Sequence, residues 1–244
     1  MSMEAASTAI RLSRFEQLKF GREVIRHEGE ALTALAGRLH EEFCDAIELL
    51  GACQGSVIVT GMGKAGLIGQ KVTATLASTG TQSHFLHPAE AIHGDLGRIH
   101  RNDVVLALSF SGETEEIVRL LPSLAAMQTS LIAVTGKPDS ALGQSADVIL
   151  DLGPLREAGE HGLAPSTSTT AMMALGDALA LVLSRMRHFG PSDFARVHPG
   201  GSLGRELAKV EDVMRPLAEC RVANDSNSIR DRFGTASRAR KGVG

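Results

Sequence analysis

The sequence predicts an α/β fold in which a central parallel sheet of about five strands forms the middle layer of a three-layer α/β/α sandwich. Short apolar runs alternate along the chain with segments that have the period of a helix. These runs are continuously apolar, which is typical of strands that helices cover on both faces. Glycine-rich or polar segments follow several of the runs, and they mark the sheet edge at which such folds bind ligands.

The first element is an N-terminal helical segment, for which we take residues 1–50. Apolar side chains recur at steps of three and four between residues 14 and 50, which predicts a long amphipathic helix. This helix is more apolar than a helix that covers only one sheet requires. We therefore expect the segment to pack on the sheet domain or on a partner subunit.

The sheet domain is predicted over residues 51–209. Apolar runs predict its five strands, at residues 56–61, 83–87, 103–109, 130–136 and 146–152. Helical periodicity predicts its helices, at residues 64–79, 115–127 and 168–189. The run STST at residues 166–169 is well suited to cap the last helix. Residues 210–244 are polar and rich in Ser and Arg, and they predict the truncated start of another domain, partly disordered.

The composition excludes several classes of function. A net charge of −3 provides no overall positive field for nucleic acid or an anionic membrane. We find no apolar run long enough to span a bilayer and no export signal. Three cysteines without a CxxC pair predict neither a disulfide framework nor a thiolate metal site, and from them we expect a protein of the reducing cytoplasm.

The stretch GMGKAG follows the first predicted strand and opens a helix. Its glycines, Gly61, Gly63 and Gly66, have GxGxxG spacing, which fits a dinucleotide site, a tight turn or an anion site. A dinucleotide site needs an acid after the second strand, where this sequence has His87, so we disfavour it. Lys64 at a helix start is expected where an anionic ligand binds.

The stretch SFSGETEE follows the third predicted strand. Ser109, Ser111 and Thr114 surround Gly112 just before a helix, and three hydroxyls with free N–H groups suit a phosphate. The alternative is a capping box, but capping requires only one of these hydroxyls. Glu116 lies in the first turn of the helix and is expected to face the same crevice.

The stretch HPAEAIHGDLG after the second strand brings together two histidines and two acids. It could hold a metal, transfer protons or be a loop that is tied together by its own hydrogen bonds. His87 and His93 are six residues apart without a nearby thiolate, which is a weak zinc pattern. The residues of this segment alone leave these alternatives open.

In order along the chain, GMGKAG, HPAEAIHGDLG, SFSGETEE, EAGEHGLAPSTSTT and HPGGSLGR resemble the motifs of the sugar isomerase (SIS) domain. More narrowly they are similar to those of the arabinose 5-phosphate isomerases, from about Phe20 to Arg215. The resemblance implies a flavodoxin-like SIS fold. It also implies an isomerase that interconverts D-arabinose 5-phosphate and D-ribulose 5-phosphate through an enediol, as a step towards lipopolysaccharide.

The resemblance also implies roles for individual residues. The positions that match catalytic residues of the family are Lys64, Glu116, Glu157 and His198, with His93 at the substrate. The positions that match substrate-binding residues are Gly80, Thr81, His87, Ser109, Ser111 and Thr114. His87 also matches a histidine that can take zinc, with inhibition as one expected effect, and no cofactor is required.

The chemistry of isomerisation suggests how these residues divide the work. A carboxylate suits the carbon base if burial or neighbours raise its pKa. Glu116 and Glu157 are both candidates, and we favour Glu157. His198 or His93 suits ring opening, and Lys64 can stabilise negative charge on the phosphate or the enediolate oxygen.

The resemblance leaves alternatives open. The family usually carries two nucleotide-sensing CBS modules, and the residues after position 216 are too few for one. Phe110, Glu160 and His161 also depart from the family pattern, so substrate preference can differ. A non-catalytic phosphosugar sensor, or another SIS isomerase or lyase, remains the alternative. Retention of Glu116, Glu157 and His198 favours an isomerase, working as a dimer or tetramer in which His198 serves a neighbouring site.

Overall fold

The computed structural model describes residues 11–198 and 214–215. The chain divides into two compact units, Met1–Phe189 and Gly190–Gly244, which are described separately. The boundary between them precedes the one that the sequence suggested at residue 209. The prediction of an incomplete domain over residues 210–244 falls almost entirely outside the described residues.

The first unit contains a sheet of five parallel strands in the order β2-β1-β3-β4-β5. The strands are β1 Val57–Gly61, β2 Ser83–Leu86, β3 Val104–Leu108, β4 Ser130–Thr135 and β5 Val148–Asp151. Each lies within two residues of its predicted run. The predicted fold class, a parallel α/β sandwich, is confirmed.

Helices cover both faces of this sheet. They are α1 Arg14–Ala36, α2 Glu41–Ala52, α3 Gly63–Ser78, α4 Pro88–Ile92, α5 Glu115–Val118, α6 Leu121–Met127, α7 Ala141–Ser145 and α8 Thr167–Met186, with a 3₁₀ helix at Asp95–Arg98. The second unit contributes α9 Pro191–Val197.

Three details of the predicted helices are wrong. The single helix over residues 14–50 is two helices, because α1 ends at Gly37, a residue of low helix propensity. The helix over residues 115–127 is also two, because Pro122 has no N–H and is accepted only in the first turn of α6. Ser166, the N-cap of α8, makes no side-chain cap bond, so the STST run does not cap its own helix.

Successive strand residues point into two separate cores. Val57 and Val59 of β1 belong to the core shared with α2, α3 and α8, whereas Ile58 belongs to the core shared with α4 to α7. Helices α3 and α8 approach closely at Gly176, where a Cβ atom would lie 2.3 Å from Val72 Cγ2. The two cores hold the strand ends rigidly, and these ends position the site described below.

One described helix, α8, is long and apolar enough to cross a bilayer, contrary to the prediction from the sequence. Among the described helices, α8 alone meets the length and composition of a membrane span, with a mean hydropathy of 1.3. Ten of its residues are buried, including Met172, Leu175 and Leu179. An apolar helix that packs into a core has this composition as well.

Candidate functional site

The carboxyl ends of three adjacent strands bring most of the predicted residues to one edge of the sheet. The register pairs Gly61 with Leu108 and Thr60 with Leu86, so β1, β3 and β2 end at nearly the same level. The segments that follow these ends carry Lys64, His87, His93, Ser109, Ser111, Thr114 and Glu116. The predicted convergence at this edge is present in the structure.

The glycine turn after β1 leads directly into α3. A Cβ atom on Gly66 would lie 2.5 Å from the carbonyl oxygen of Gly61, so the turn requires glycine there. The N-cap of α3 is Met62, which makes no side-chain cap bond, and the first turn contains no acid. The exposed Lys64 therefore adds its charge to a helix start whose N–H groups have no side-chain cap.

The loop after β3 is organised by its own hydroxyl groups. The Ser109 Oγ accepts a hydrogen bond from the Gly112 N–H at 3.0 Å and lies 2.8 Å from the Thr114 Oγ1. Ser111 is exposed, and its Oγ accepts from the Glu113 N–H at 3.2 Å. Gly112 has a φ of +64°, and a Cβ atom there would collide with the Ser140 hydroxyl.

The capping-box alternative for this loop is wrong. Thr114 is the N-cap of α5, but it makes no side-chain cap bond. The Glu113 carboxylate instead accepts the Ala141 N–H at 2.7 Å. The hydroxyls of this loop therefore make hydrogen bonds within the loop rather than capping α5, and they are candidates to bind a ligand.

Glu116 lies half-buried in the first turn of α5. In the part of the chain that the structure describes, no hydrogen bond or ion pair holds its carboxylate. This carboxylate can therefore turn towards a ligand at the sheet edge without breaking a protein contact.

Glu157 is held much more firmly, at the start of α8. Its Oε2 accepts the N–H groups of Ser166 at 2.8 Å and Ser168 at 3.2 Å. Its Oε1 accepts a short hydrogen bond from the Ser168 hydroxyl. Glu157 thus occupies the capping position that the local sequence pattern had assigned to the STST run.

These contacts determine the charge state of Glu157. Burial raises its pKa, but the hydrogen bonds from the Ser168 hydroxyl and from the N–H groups of Ser166, Ser168 and Thr167 outweigh burial. The net effect places the pKa below the ordinary value of 4.5. The expectation that the carbon base has a raised pKa is therefore wrong for Glu157.

Helices α3 and α8 run side by side in the same direction. Lys71 pairs with Asp177 midway along them, and the Arg187 guanidinium donates to the Gly80 carbonyl at their carboxyl-terminal ends at 2.7 Å. The two helices consequently begin at the same end of the unit. This arrangement places Glu157, through its bonds to α8, at the level of Lys64.

The segment at residues 87–97 is more regular than the predicted loop. His87 precedes α4 as its N-cap, His93 follows it, and Gly94 turns the chain at a φ of +127° into the 3₁₀ helix. The His87 Nδ1 is buried and has no hydrogen-bond partner among the described residues. Asp95 pairs with Arg98 at 3.2 Å.

The described residues contain no group of three or more His, Cys, Asp or Glu side chains that could hold a metal ion. His87 alone offers too few ligands for zinc, which takes four in structural sites. Zinc at His87 therefore stays a prediction that requires further ligands.

Two predicted residues, Gly80 and Thr81, do not lie at this edge. Val57 pairs with Ser83, so Gly80 and Thr81 lie at the opposite end of the sheet, before β2. The Thr81 hydroxyl is buried and accepts from Arg187 at 2.9 Å. His198 belongs to the second unit, where its ring stacks on Phe194 with centroids 3.8 Å apart.

One cavity of the first unit shows which residues of α1 lie near Glu157. A cavity of about 260 Å³ lies between α1 and residues 156–160, and Glu157 lines it together with His27 and Glu23. A larger cavity of about 530 Å³ lies beside β5 and is lined by none of the predicted site residues. Ser166 and Ser168, the partners of Glu157, were missed as site residues, although the STST run had marked their position.

Comparisons with known proteins agree with the fold. The model of the SIS domain matches residues 52–182. The probable arabinose 5-phosphate isomerase of Haemophilus influenzae is 48% identical over 210 residues, which are 86% of this chain and 62% of that protein. The arabinose 5-phosphate isomerase KdsD of Shigella flexneri is 44% identical over 230 residues, 94% of this chain and 70% of that protein.

A solved structure from E. coli CFT073, described in complex with A5P, has a TM-score of 0.75 and 40% identity. It covers 77% of this chain and is itself matched over its whole length. The chain thus spans less than two thirds of the Haemophilus influenzae relative but all of this solved chain.

Proposed function

Because this chain belongs to the SIS-domain family of arabinose 5-phosphate isomerases, we propose that it interconverts D-arabinose 5-phosphate and D-ribulose 5-phosphate. The proposal rests on two helix starts at one edge of the sheet. The start of α3 has no side-chain cap and carries Lys64, whereas the start of α8 is capped by the Glu157 carboxylate. An aldose–ketose isomerase of a sugar phosphate requires both a site for the phosphate anion and a carboxylate in a fixed position.

The substrate phosphate is proposed to bind the loop after β3. The hydroxyls of Ser109, Ser111 and Thr114 can donate to its oxygens. Lys64 supplies the positive charge from the adjacent strand end. Ser109 and Thr114 are already positioned by each other, so little side-chain entropy is lost on binding.

Proton transfer between C1 and C2 is proposed to use Glu157. Its carboxylate takes the proton from C2 of the open aldose while the C1 oxygen takes a proton from the Glu116 carboxyl and becomes the hydroxyl of an enediol. The Glu157 acid then returns its proton to C1, and the C2 hydroxyl gives its proton to the Glu116 carboxylate as it becomes the ketone. A carboxylate held in one orientation suits this step, and its lowered pKa keeps it ionised at the expense of basicity.

The remaining residues complete the proposal. Glu116 is free to exchange protons with the sugar oxygens, and Lys64 stabilises the enediolate charge. His93, or His198 from a neighbouring copy, opens the sugar ring. We propose that no metal is required and that the protein acts in the cytoplasm.

A homo-oligomer is proposed on the basis of α1. Its side chains Phe15 and Ile25 are 75% and 73% exposed, and Leu18 is exposed beside them. A stripe of large apolar side chains on a surface helix suits contact with a second copy. Size measurement of the purified protein by light scattering tests this part independently of activity.

The function is tested by incubating the purified protein with ribulose 5-phosphate, with and without EDTA, and following arabinose 5-phosphate by NMR. We expect turnover that EDTA does not reduce and that Glu157→Gln removes. Phosphosugar binding without turnover by the wild-type protein would replace the isomerase with a sensor. Loss of turnover in EDTA would contradict the metal-independent reaction.

A further inference from the structure

Glu157 uses its two carboxylate oxygens differently. The Oε2 accepts two backbone N–H groups, from Ser166 and Ser168, and has the Ser166 hydroxyl at 3.5 Å. The Oε1 accepts a hydrogen bond from the hydroxyl of Ser168, and the Thr167 N–H adds a further hydrogen bond to the carboxylate. One oxygen is therefore committed to the start of α8, and the other retains lone pairs for a ligand.

Ser168 is the residue that connects the two oxygens. Its N–H contacts Oε2 and its hydroxyl contacts Oε1, and its side chain is 2% exposed. Any residue except proline at position 168 would supply the N–H group, which lies in the first helical turn and needs an acceptor. Only a hydroxyl residue can also donate to Oε1, so this second bond exceeds what capping requires.

We propose that Ser168 is a positioning residue for isomerisation, which holds Oε1 of Glu157 in the orientation in which this oxygen exchanges the proton with the sugar. The inference rests on the proposed function. It goes further by assigning the orientation of the proposed base to one buried hydroxyl on α8.

The hydroxyl also affects the protonation of Glu157. Burial raises the pKa of this carboxyl, and the Ser168 hydroxyl is the first of the hydrogen bonds that lower it below its usual value. Removing the hydroxyl therefore raises the pKa of Glu157. Since the base must be ionised, activity on the acid side would be lost at higher pH than in the wild type.

Other charged groups surround this carboxylate and have to be considered. Glu23 and His27 of α1 line the same cavity, and Arg156 and Glu160 flank Glu157 in the chain. The His27 Nε2 lies 2.7 Å from the Arg156 carbonyl oxygen. None of these groups is altered in the test, so their contribution to the pH profile stays constant.

The test compares Ser168→Ala with Ser168→Thr and with Thr169→Val in the full chain. Thr169 is the matched control, because it is a buried hydroxyl in the same turn that donates to the Ser166 carbonyl at 2.8 Å. We measure kcat and KM across pH with ribulose 5-phosphate. The titration of the Glu157 carboxyl is followed in parallel by carbon NMR of the ligand-free protein.

For Ser168→Ala we expect kcat to fall about tenfold at neutral pH with KM little changed. The acid limb of its kcat profile and the Glu157 titration both move to higher pH. Ser168→Thr restores the wild-type values, and Thr169→Val leaves the limb in place.

Several results would overturn the inference. A Ser168→Ala profile that is reduced equally at every pH would mean that Ser168 only supports the fold. The same conclusion follows if Thr169→Val moves the acid limb as far, or if Ser168→Thr fails to restore it. A wild-type protein without turnover would instead overturn the proposed function, and the carbon NMR titration would show separately whether Ser168 controls the charge of Glu157.

Discussion

Helices α3 and α8 lie on the same face of the sheet, run in the same direction and begin at the same end, yet their first turns are opposite in character. The start of α3 has no side-chain cap, no acid and an exposed Lys64. The start of α8 is closed by the Glu157 carboxylate. Unpaired N–H groups at a helix start attract an anion, which can be a carboxylate of the chain itself or a bound ligand.

This difference explains how one sheet edge can bind an anionic substrate and keep a carboxylate beside it. The N–H groups of α8 are satisfied from within the chain, so that start does not compete for the phosphate. Among the described residues, the Lys64 ammonium has no partner and the exposed Ser111 hydroxyl donates to none, so both keep donors for a ligand. The carboxylate is in turn kept ionised by the helix that it caps.

The largest effect is expected from Glu157→Gln, which removes the negative charge at the start of α8. We expect kcat to fall by about 10³-fold, because an amide cannot take the proton from carbon. The free energy of unfolding should fall by only about 1 kcal/mol, since the amide oxygen still accepts one N–H group. Kinetics and urea unfolding measure the two effects separately.

Glu160→Gln is the matched control for this variant, because Glu160 is an exposed carboxylate in the same segment. It should retain the wild-type kcat, while KM can change because Glu160 lines the same cavity as Glu157. An equal loss in both variants would show that the charge of the segment matters rather than the carboxylate at α8.

The second change removes the charge at α3 with Lys64→Met. We expect kcat/KM to fall about 10²-fold, because Lys64 is proposed to stabilise charge on the phosphate or the enediolate oxygen. Lys19→Met, on the exposed face of α1, is the control and should change little. If KM rises while kcat is retained, Lys64 serves binding alone.

These two positions also show what can be predicted from sequence. The five strands were predictable because continuous apolar runs reflect burial on both faces, and Lys64 because a cation at a helix start is unusual. The cap of α8 was not predictable. Glu157 reaches Ser166 and Ser168 across a loop that turns at Gly159 and Gly162, both with positive φ, and no local period reports such a contact.

Gly80 and Thr81 show a second limit of sequence-based prediction. Their motif position suggested contact with substrate, but the strand register places them at the other end of the sheet, where Arg187 binds them. Which end of a strand a residue occupies depends on strand pairing over long sequence distances. Their role at a substrate stays a prediction.

A smaller effect is expected from the hydroxyls near α3. Ser109→Ala removes one donor and the partner of the Gly112 N–H and Thr114. We expect KM for the sugar phosphate to rise about tenfold, the value of one hydrogen bond, with little change in kcat. Competition by inorganic phosphate should weaken in parallel. Unchanged inhibition by phosphate would move the anion site away from this loop.

The smallest effect concerns stability and pH at the start of α8. The pKa of Glu157 is lowered in the folded protein from its usual 4.5, because hydrogen bonds from Ser168, Ser166 and Thr167 outweigh the opposing effect of burial. Its stabilisation is therefore present above the unfolded pKa and is lost as pH falls through the folded pKa.

Urea unfolding of the wild-type protein and Glu157→Gln at a series of pH values tests this. The difference in their free energies of unfolding should be greatest near neutral pH and should shrink as the solution becomes acidic. If this difference instead grows towards low pH, the ionised carboxylate destabilises the start of α8. The contrast between the two helix starts would then reflect burial of Glu157 rather than capping.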